Sequence, residues 1–250
     1  MPRIPSFILD RLRDTPPGNC GVVPHSTPVI SFGNPATAQV ATLGLNPSKH
    51  EFLDSSGGLL QGEQQRFATL KSLRRKHLAE ADHETLREVV EACHDYFSGN
   101  PYERWFRPLD QIVQAAGASF FTGTACHLDL VQWATDPVWG KLPKATCGEL
   151  LKRDGQFLMN QLRHHQFPVL LLNGSGVIDE FKRQAAFEFA DSRGLSGPKH
   201  QPAKLSYGRW ENRLLVIGWS CNLQSSHGVT TELREEIAEA VRRIVRRHAG

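Results

Sequence analysis

The chain has 250 residues, with 29 lysines and arginines against 26 aspartates and glutamates, so its formal net charge is +3. Hydrophobic residues make up 40% and charged residues 22%, a globular composition that excludes disordered and fibrous proteins. The length is sufficient for one sizeable hydrophobic core or at most two small ones.

The amino-terminal residues and the cysteines bear on the cellular compartment and on metal sites. Residues 1–10 contain no apolar run of signal-peptide length, and no later stretch approaches the ~20 apolar residues of a membrane span. We therefore expect a cytosolic protein. The cysteines are scattered without a CxxC pair, at Cys20, Cys93, Cys126, Cys147 and Cys221. This spacing predicts no disulfide framework and no zinc or iron–sulfur site, and we expect neither a metal nor a cofactor.

The chain is predicted to begin with an irregular lead-in over residues 1–38, followed by a single α/β domain over 39–250. Proline, glycine, threonine and asparagine are frequent in 11–38, a composition typical of turns. Short apolar runs predict buried strands at 39–45, 118–125, 167–173 and 213–219. Helical periodicity predicts helices at 60–77, 83–97, 103–116, 146–165, 175–190 and 230–248, the last capped by Thr230 and Thr231.

Buried strands that alternate with helices predict an α/β fold. We expect a three-layer α/β/α sandwich with a central, mainly parallel four-stranded sheet. In such sheets, ligands bind where the strands end at their carboxyl termini. Functional residues are therefore expected in the loops 46–48, 124–129, 173–176 and 220–229.

These loops carry motifs in a particular order along the chain. The motifs are Gly44-Leu45-Asn46-Pro47-Ser48, Asn100-Pro101-Tyr102, Phe120-Phe121-Thr122-Gly123-Thr124, Leu171-Leu172-Asn173-Gly174 and the loop from Asn222 to Val229. By order and spacing over residues 38–248, the chain resembles the uracil-DNA glycosylase superfamily, outside its iron–sulfur branch. The resemblance implies a monofunctional DNA glycosylase that flips out a base and hydrolyses its N-glycosidic bond, leaving an abasic site.

Two departures from the family pattern bear on the base that would be removed. Thr124 stands where the family places its base-reading asparagine. The loop at 222–229 lacks the family's His-Pro pair, so either Asn222 leads the motif or 224–227 forms its working segment. We therefore expect a damaged or modified base other than plain uracil, with a modified cytosine of foreign DNA as one option.

The reaction needs a positioned water and donors directed at the departing base. The resemblance implies that Asn46 orients this water, although an asparagine before proline could equally form an Asx turn. His227 can donate to a base oxygen, unless it is simply a solvated loop histidine. The base-binding candidates are Tyr102 as the stacking aromatic, Thr124, His127 and Asp129 at the base edge, and Asn173. A contact from Asp129 to an exocyclic amine would favour a cytosine-like base.

Phosphate contacts are expected from the loops after the first and last strands. The candidates are Ser48, Lys49, Asn222, Gln224, Ser225, Ser226 and Val229. Two basic runs, 71–77 and 242–248, also suit a phosphate backbone. For the second run a solvated helix face is favoured, because Arg242 and Arg246 complement the helix dipole.

Two alternatives remain open at this point. One is a non-catalytic nucleic-acid-binding module with the same fold. The other is a hydrolase with Cys126 and His127, or Ser226 and His227, as nucleophile and base. Neighbouring residues of a strand point to opposite faces, which disfavours the cysteine pair. For the glycosylase, we expect a monomer that binds DNA and no membrane.

Overall fold

The computed structural model describes residues 4–196, 203–224 and 229–248. The helices are α1 Ser6–Arg13, α2 His83–His94, α3 Glu103–Ala115, α4 Lys144–His165, α5 Ser175–Ala185 and α6 Thr231–His248. The strands are β1 Val40–Gly44, β2 Ala125–Asp129, β3 Val169–Asn173, β4 Asp191–Leu195, β5 Ala203–Trp210 and β6 Leu214–Trp219. Within these ranges, no helix is both long enough and apolar enough to cross a membrane.

The strands form a six-stranded sheet in the order β2-β1-β3-β6-β5-β4. The central strands β1, β3 and β6 are parallel, with Val40 opposite Val169 and Asn173 opposite Trp219. Strand β5 is antiparallel to both β6 and β4. The α/β class is therefore confirmed, whereas the prediction of four strands is wrong, because β4 and β5 extend the sheet on one side.

Strand β2 lies further along the chain than its apolar pattern predicts. Residues 118–124 form turns, which Asp110 of α3 organises. The carboxylate of Asp110 accepts hydrogen bonds from the Phe120 backbone N–H at 2.8 Å and from Ser119 Oγ at 3.1 Å. The prediction of a strand at 118–125 is therefore wrong, and Thr124 lies before the amino end of β2. Residues 126–129, predicted to follow the strand, are part of it.

Two predictions for the amino-terminal half are also corrected. Residues 60–77 form turns and a short 3₁₀ helix rather than an α-helix. Gly62 and Arg74 have φ of 57° and 54°, which interrupts any right-handed helix. The lead-in is not irregular throughout, since its residues 6–13 form α1. The other five predicted helices are present, and Thr230 caps α6 by accepting a hydrogen bond from the Leu233 N–H at 3.2 Å.

The chain divides into two compact units, each built from separated stretches of sequence. The first unit contains residues 4–34, Leu45–Pro101 and Leu128–His164. Its core includes the packed rings of Phe32, Phe52, Phe67 and Tyr96, with Phe67 stacked on Tyr96 at 4.9 Å between centroids. Burial of such rings contributes to the hydrophobic stabilisation of this unit.

The second unit contains Pro35–Gly44, Tyr102–His127 and the described part of His165–Gly250. It holds strands β1, β3, β4, β5 and β6 and most of β2. Helix α5 packs on β3 and β6, and α6 packs on β6 and α3. The buried side chains of the central strands are predominantly apolar, as expected for strands covered by helices.

Candidate functional site

The predicted site residues fall into two groups, one within each unit. The first unit holds Asn46, Ser48, Lys49 and Asp129. The second unit holds Tyr102, Thr124, His127, Asn173, Asn222, Gln224 and Val229. Three further predicted residues, Ser225, Ser226 and His227, lie outside the described residues.

In the first unit, the loop after β1 is joined to the loop after β2 along its whole length. The Val131 N–H donates to the Leu45 carbonyl at 2.9 Å, and Ser48 forms a parallel bridge with Thr135. At the far end, Lys49 Nζ lies 2.9 Å from Asp136 Oδ1. This pairing fixes the position of the residues between these contacts.

Asn46 is the residue held most specifically by this pairing. Its Nδ2 donates to the carbonyl of Trp133 and to Oγ1 of Thr135, both at 3.1 Å. Within the described part of the chain, no protein donor lies within hydrogen-bonding distance of its Oδ1. The amide is therefore oriented through its donor side, and its acceptor side is available to a water or a ligand. These contacts are not those of an Asx turn.

Ser48 and Lys49 have local partners. Ser48 caps the short 3₁₀ helix Lys49–Glu51, because its Oγ accepts a hydrogen bond from the His50 N–H at 3.2 Å. Lys49 is paired with Asp136, although both side chains are partly exposed. A phosphate contact from Lys49 would therefore compete with an ion pair of modest strength.

Glu51 is a titratable residue of this loop that the sequence did not single out. The residue is 3% exposed, and its Oε2 accepts a hydrogen bond from Tyr96 Oη at 2.8 Å. Burial raises the pKa of Glu51 from its ordinary 4.5 to about 7, and the charge of Asp129 acts in the same direction. The Tyr96 hydroxyl and the Arg66 cation act in the opposite direction. The loop therefore contains a carboxyl group that changes its protonation state near neutral pH.

Asp129, predicted to lie in a loop at the base edge, is instead the last residue of β2 and is buried. Its backbone carbonyl accepts a hydrogen bond from Gln132 Nε2 at 2.7 Å. Its electrostatic effect on Glu51 places two buried carboxyl groups in the same part of the first unit. The negative charge of Asp129 therefore contributes to the raised pKa of Glu51.

In the second unit, Asn173 at the end of β3 organises the loop after β6. Its Oδ1 accepts hydrogen bonds from Trp219 Nε1 at 2.9 Å and from the Leu223 N–H at 3.1 Å. Its Nδ2 donates to Gln224 Oε1 at 2.6 Å and lies 3.5 Å from Asn222 Oδ1. Asn173 therefore uses both ends of its amide inside the protein, and these bonds would have to break for it to read a base.

The same network reaches the start of α3. Gln224 Nε2 donates to the carbonyl of Trp105 at 3.1 Å, and the Gln224 N–H donates to Asn222 Oδ1 at 3.0 Å. Gly174, which follows Asn173, has a φ of 101° that suits glycine, and a Cβ at this position would lie 3.6 Å from Asn222 Cβ. The predicted residues Asn173, Asn222 and Gln224 are thus brought together as one hydrogen-bonded group.

His127 is a core histidine rather than a residue at a strand end. It is 2% exposed, and its Nδ1 lies 2.7 Å from Oγ1 of Thr42 on β1. Its ring packs edge-on against Trp105 and Phe106 of α3, with centroids 4.9 and 5.5 Å away. The position of His127 inside strand β2 does not support its predicted contact with a base edge.

Thr124 does not lie at the carboxyl end of β2. Its Oγ1 accepts a hydrogen bond from the Ser119 N–H at 2.9 Å, and its carbonyl accepts one from the Gln39 N–H at 2.8 Å. Tyr102 is half-buried just before α3, where its carbonyl accepts the Trp105 N–H. Val229 is partly exposed ahead of α6. Tyr102 is therefore hydrogen-bonded to Trp105, whose own carbonyl accepts a hydrogen bond from Gln224. Thr124 lies in a separate turn.

Cys126 does not have the properties of a nucleophile. The residue is fully buried in β2, and burial raises the pKa of its thiol far above the ordinary value of 9.0. A neutral, inaccessible thiol cannot attack a substrate. This geometry removes the cysteine version of the hydrolase alternative.

Sequence reasoning missed Trp133 and Thr135, which hold Asn46, and the buried Glu51 of the same loop. Trp133 and Thr135 follow β2 without a recognisable motif. Ser48 and Glu51 match the S-x-x-E pattern of a capping box, which would place Glu51 on the surface as a helix cap. In the structure Glu51 instead turns inward to Tyr96. No protein-family model and no curated protein sequence matches this chain.

Proposed function

We propose that this protein is a monofunctional DNA glycosylase that excises a damaged or modified base. The observation that carries the proposal is the fixed amide of Asn46, whose Nδ2 is bound to Trp133 and Thr135. Hydrolysis of an N-glycosidic bond needs a water held at one side of the sugar while charge develops on the departing base. Asn46 Oδ1, which has no donor among the residues that the structure describes, is an acceptor suited to orienting that water.

Three further features support this role for Asn46. The loop is fixed before any ligand binds, which reduces the entropic cost of positioning a reactant. Glu51, with a pKa of about 7, gives the same loop a carboxyl able to take up a proton at neutral pH. The order of motifs along the chain, which resembles the uracil-DNA glycosylase superfamily, supplies the class of substrate.

The finer architecture and setting belong to the same proposal. We infer a three-layer α/β/α arrangement over residues 39–250, supported by the packing of α5 on β3 and β6 and of α6 on β6. The protein would act as a monomer on cytosolic DNA and need no cofactor. A modified cytosine is one option for the base, since a contact from Asp129 to an exocyclic amine would favour a cytosine-like base.

A second candidate is a nucleic-acid-binding module without catalysis. One observation favours it: the polar groups of Thr124, His127 and Asn173 are bonded inside the second unit rather than directed at a substrate. The two candidates differ in whether Asn46 is needed for base release.

The test is base release from duplexes that contain uracil, hypoxanthine, mismatched thymine, or hydroxymethylated or glucosylated cytosine, scored as free base and as alkali-labile sites. We expect release from one of these duplexes, and Asn46→Ala should lower its rate by about 10²- to 10⁴-fold while duplex binding is retained. Asn160→Ala, which removes a surface amide on α4, is the matched control and should leave the rate unchanged.

Release by Asn46→Ala at the parental rate would contradict the role of Asn46. Duplex binding with no release from any of these substrates would favour the binding module.

A further inference from the structure

The first unit carries a concentrated positive charge in the segment 69–77, which we name the basic turn. Its cations are Lys71, Arg74, Arg75 and Lys76, and all four residues are exposed. Arg75 is paired with Asp82 at 2.8 Å. For the other three, no carboxylate lies within ion-pairing distance in the part of the chain that the structure describes.

The backbone of the basic turn is held in place by its own hydrogen bonds. Thr69 and Ser72 bind each other reciprocally, N–H to hydroxyl oxygen, at 3.0 Å in both directions. The Arg75 N–H donates to the Leu70 carbonyl at 2.8 Å, and the Leu70 N–H donates to the His25 carbonyl at 2.9 Å. Three cations without a carboxylate partner among the described residues are thus presented on an ordered backbone, so little ordering of the backbone would be needed to bind an anionic partner.

Two consecutive residues connect the basic turn to the loop that carries Asn46. Gln65 Nε2 donates to Ser72 Oγ of the basic turn at 3.3 Å. The guanidinium of Arg66 donates to the carbonyl of His50, which lies in the 3₁₀ helix of that loop. The two segments are therefore linked through side-chain hydrogen bonds within one unit.

The composition of the basic turn indicates the kind of anion it would bind. Amphipathic segments that bind a membrane surface carry apolar side chains that enter the lipid, in addition to cations. Among the residues that the structure describes, the exposed large hydrophobic side chains are Phe121 and Val138, and neither lies in the basic turn. A nucleic-acid backbone instead presents a regular series of phosphates to cations alone.

We propose that the basic turn binds the phosphate backbone of DNA and extends the contact surface of the Asn46 loop. The choice of DNA rests on the proposed function, whereas the binding itself requires no catalysis. Lys71, Arg74 and Lys76 each neutralise one phosphate in this arrangement and release its condensed counterions.

The test measures duplex affinity against salt concentration, using an unmodified duplex and the triple variant Lys71→Gln/Arg74→Gln/Lys76→Gln. The matched control is Arg242→Gln/Arg243→Gln/Arg246→Gln on α6, where Arg242 and Arg243 are already paired with Glu239. Both variants lower the formal net charge from +3 to 0, so total charge is held equal. Thermal unfolding verifies that both variants fold.

We expect the basic-turn variant to reduce the slope of log affinity against log salt by about 2 to 3, at roughly 0.9 per lost phosphate contact, while the α6 control stays near the parental slope. Equal slopes for the two variants would overturn the proposal. The proposal would also be overturned if the parent protein bound phosphatidylserine vesicles and the basic-turn variant kept the parental duplex slope. That result would indicate that the basic turn binds a membrane surface. A reduced slope together with no base release would contradict the proposed function but support the basic turn.

Discussion

The hydroxyl of Tyr96 donates a 2.8 Å hydrogen bond to Oε2 of Glu51, a residue that is only 3% exposed. This bond favours the ionised carboxyl, yet burial outweighs it and raises the pKa of Glu51 to about 7. The folded protein therefore binds the Glu51 proton more tightly than the unfolded chain does. Linkage converts this difference into a dependence of stability on pH.

Glu51→Gln should flatten the pH profile of stability. Because the folded protein binds the Glu51 proton more tightly, this proton adds to the free energy of unfolding. The added stability is complete below pH 4.5, the ordinary pKa, and is lost as the pH rises to about 7. At about 1.4 kcal/mol per pH unit, this loss is on the order of 3 kcal/mol. Urea denaturation between pH 4 and 8 measures it.

The matched control for this experiment is Glu63→Gln, which changes an exposed carboxyl of the same unit. Its pH profile should follow that of the parent protein. If Glu51→Gln loses as much stability between pH 4.5 and 7 as the parent does, the raised pKa is not that of Glu51.

Thr135→Val should weaken the orientation of Asn46 without removing its amide. The substitution deletes one of the two acceptors of Nδ2 and keeps a side chain of similar shape. Loss of one neutral hydrogen bond corresponds to about 0.5 to 1.5 kcal/mol, or roughly a 2- to 13-fold lower rate of base release. Single-turnover kinetics should show this decrease with unchanged duplex affinity; an equal decrease in affinity would argue against an effect on orientation.

Asn173→Ala should destabilise the protein by about 2 to 6 kcal/mol. It leaves the indole N–H of Trp219 and the backbone N–H of Leu223 without their shared acceptor. Each buried donor left unpaired costs about 1 to 3 kcal/mol. Asn173→Asp keeps this acceptor and should cost less, and chemical denaturation of the two variants tests that order; a larger loss for the aspartate would contradict it.

Arg11→Met should cost about 3 to 5 kcal/mol, because it leaves the carboxylate of Asp154 buried without its cation. The two side chains are 3% and 0% exposed, and Arg11 Nη2 lies 2.6 Å from Asp154 Oδ2. The double variant Arg11→Met/Asp154→Asn keeps an acceptor for the Gln132 N–H and should recover at least about 1 kcal/mol of that loss. Equal losses in urea denaturation would show that the charge of Asp154 is not the cause.

The sequence was sufficient to predict the strands whose signal is local. β1, β3 and β6 are largely continuous apolar runs because they are buried in the middle of the sheet. β4 has no such pattern, since four of its five residues are exposed at a sheet edge. The error at β2 has a different cause: Phe120 and Phe121 look like strand residues, but Asp110, ten residues before Phe120, holds them in a turn.

The candidate site shows the same limit. Asn46 could be singled out from its place after a predicted strand, but its orientation depends on residues 87 and 89 positions further along the chain. Asn173 was found at the correct strand end, yet its hydrogen bonds to Trp219 and Leu223 also join residues far apart in sequence. Glu51 is not singled out by the sequence, because no local signal indicates its hydrogen bond to the Tyr96 hydroxyl. Local sequence motifs can therefore identify candidate site residues, but the orientation of their side chains depends on contacts with residues far away in the sequence.

The interleaving of the two units along the chain also limits how the protein can be dissected. The chain passes from one unit to the other after residues 34, 44, 101, 127 and 164. A fragment that ends at any of these positions lacks part of at least one unit. Expression of either half alone would therefore yield polypeptides with incomplete cores, prone to aggregation. Complementation by two co-expressed fragments, rather than deletion, is the appropriate way to separate the contributions of the two units.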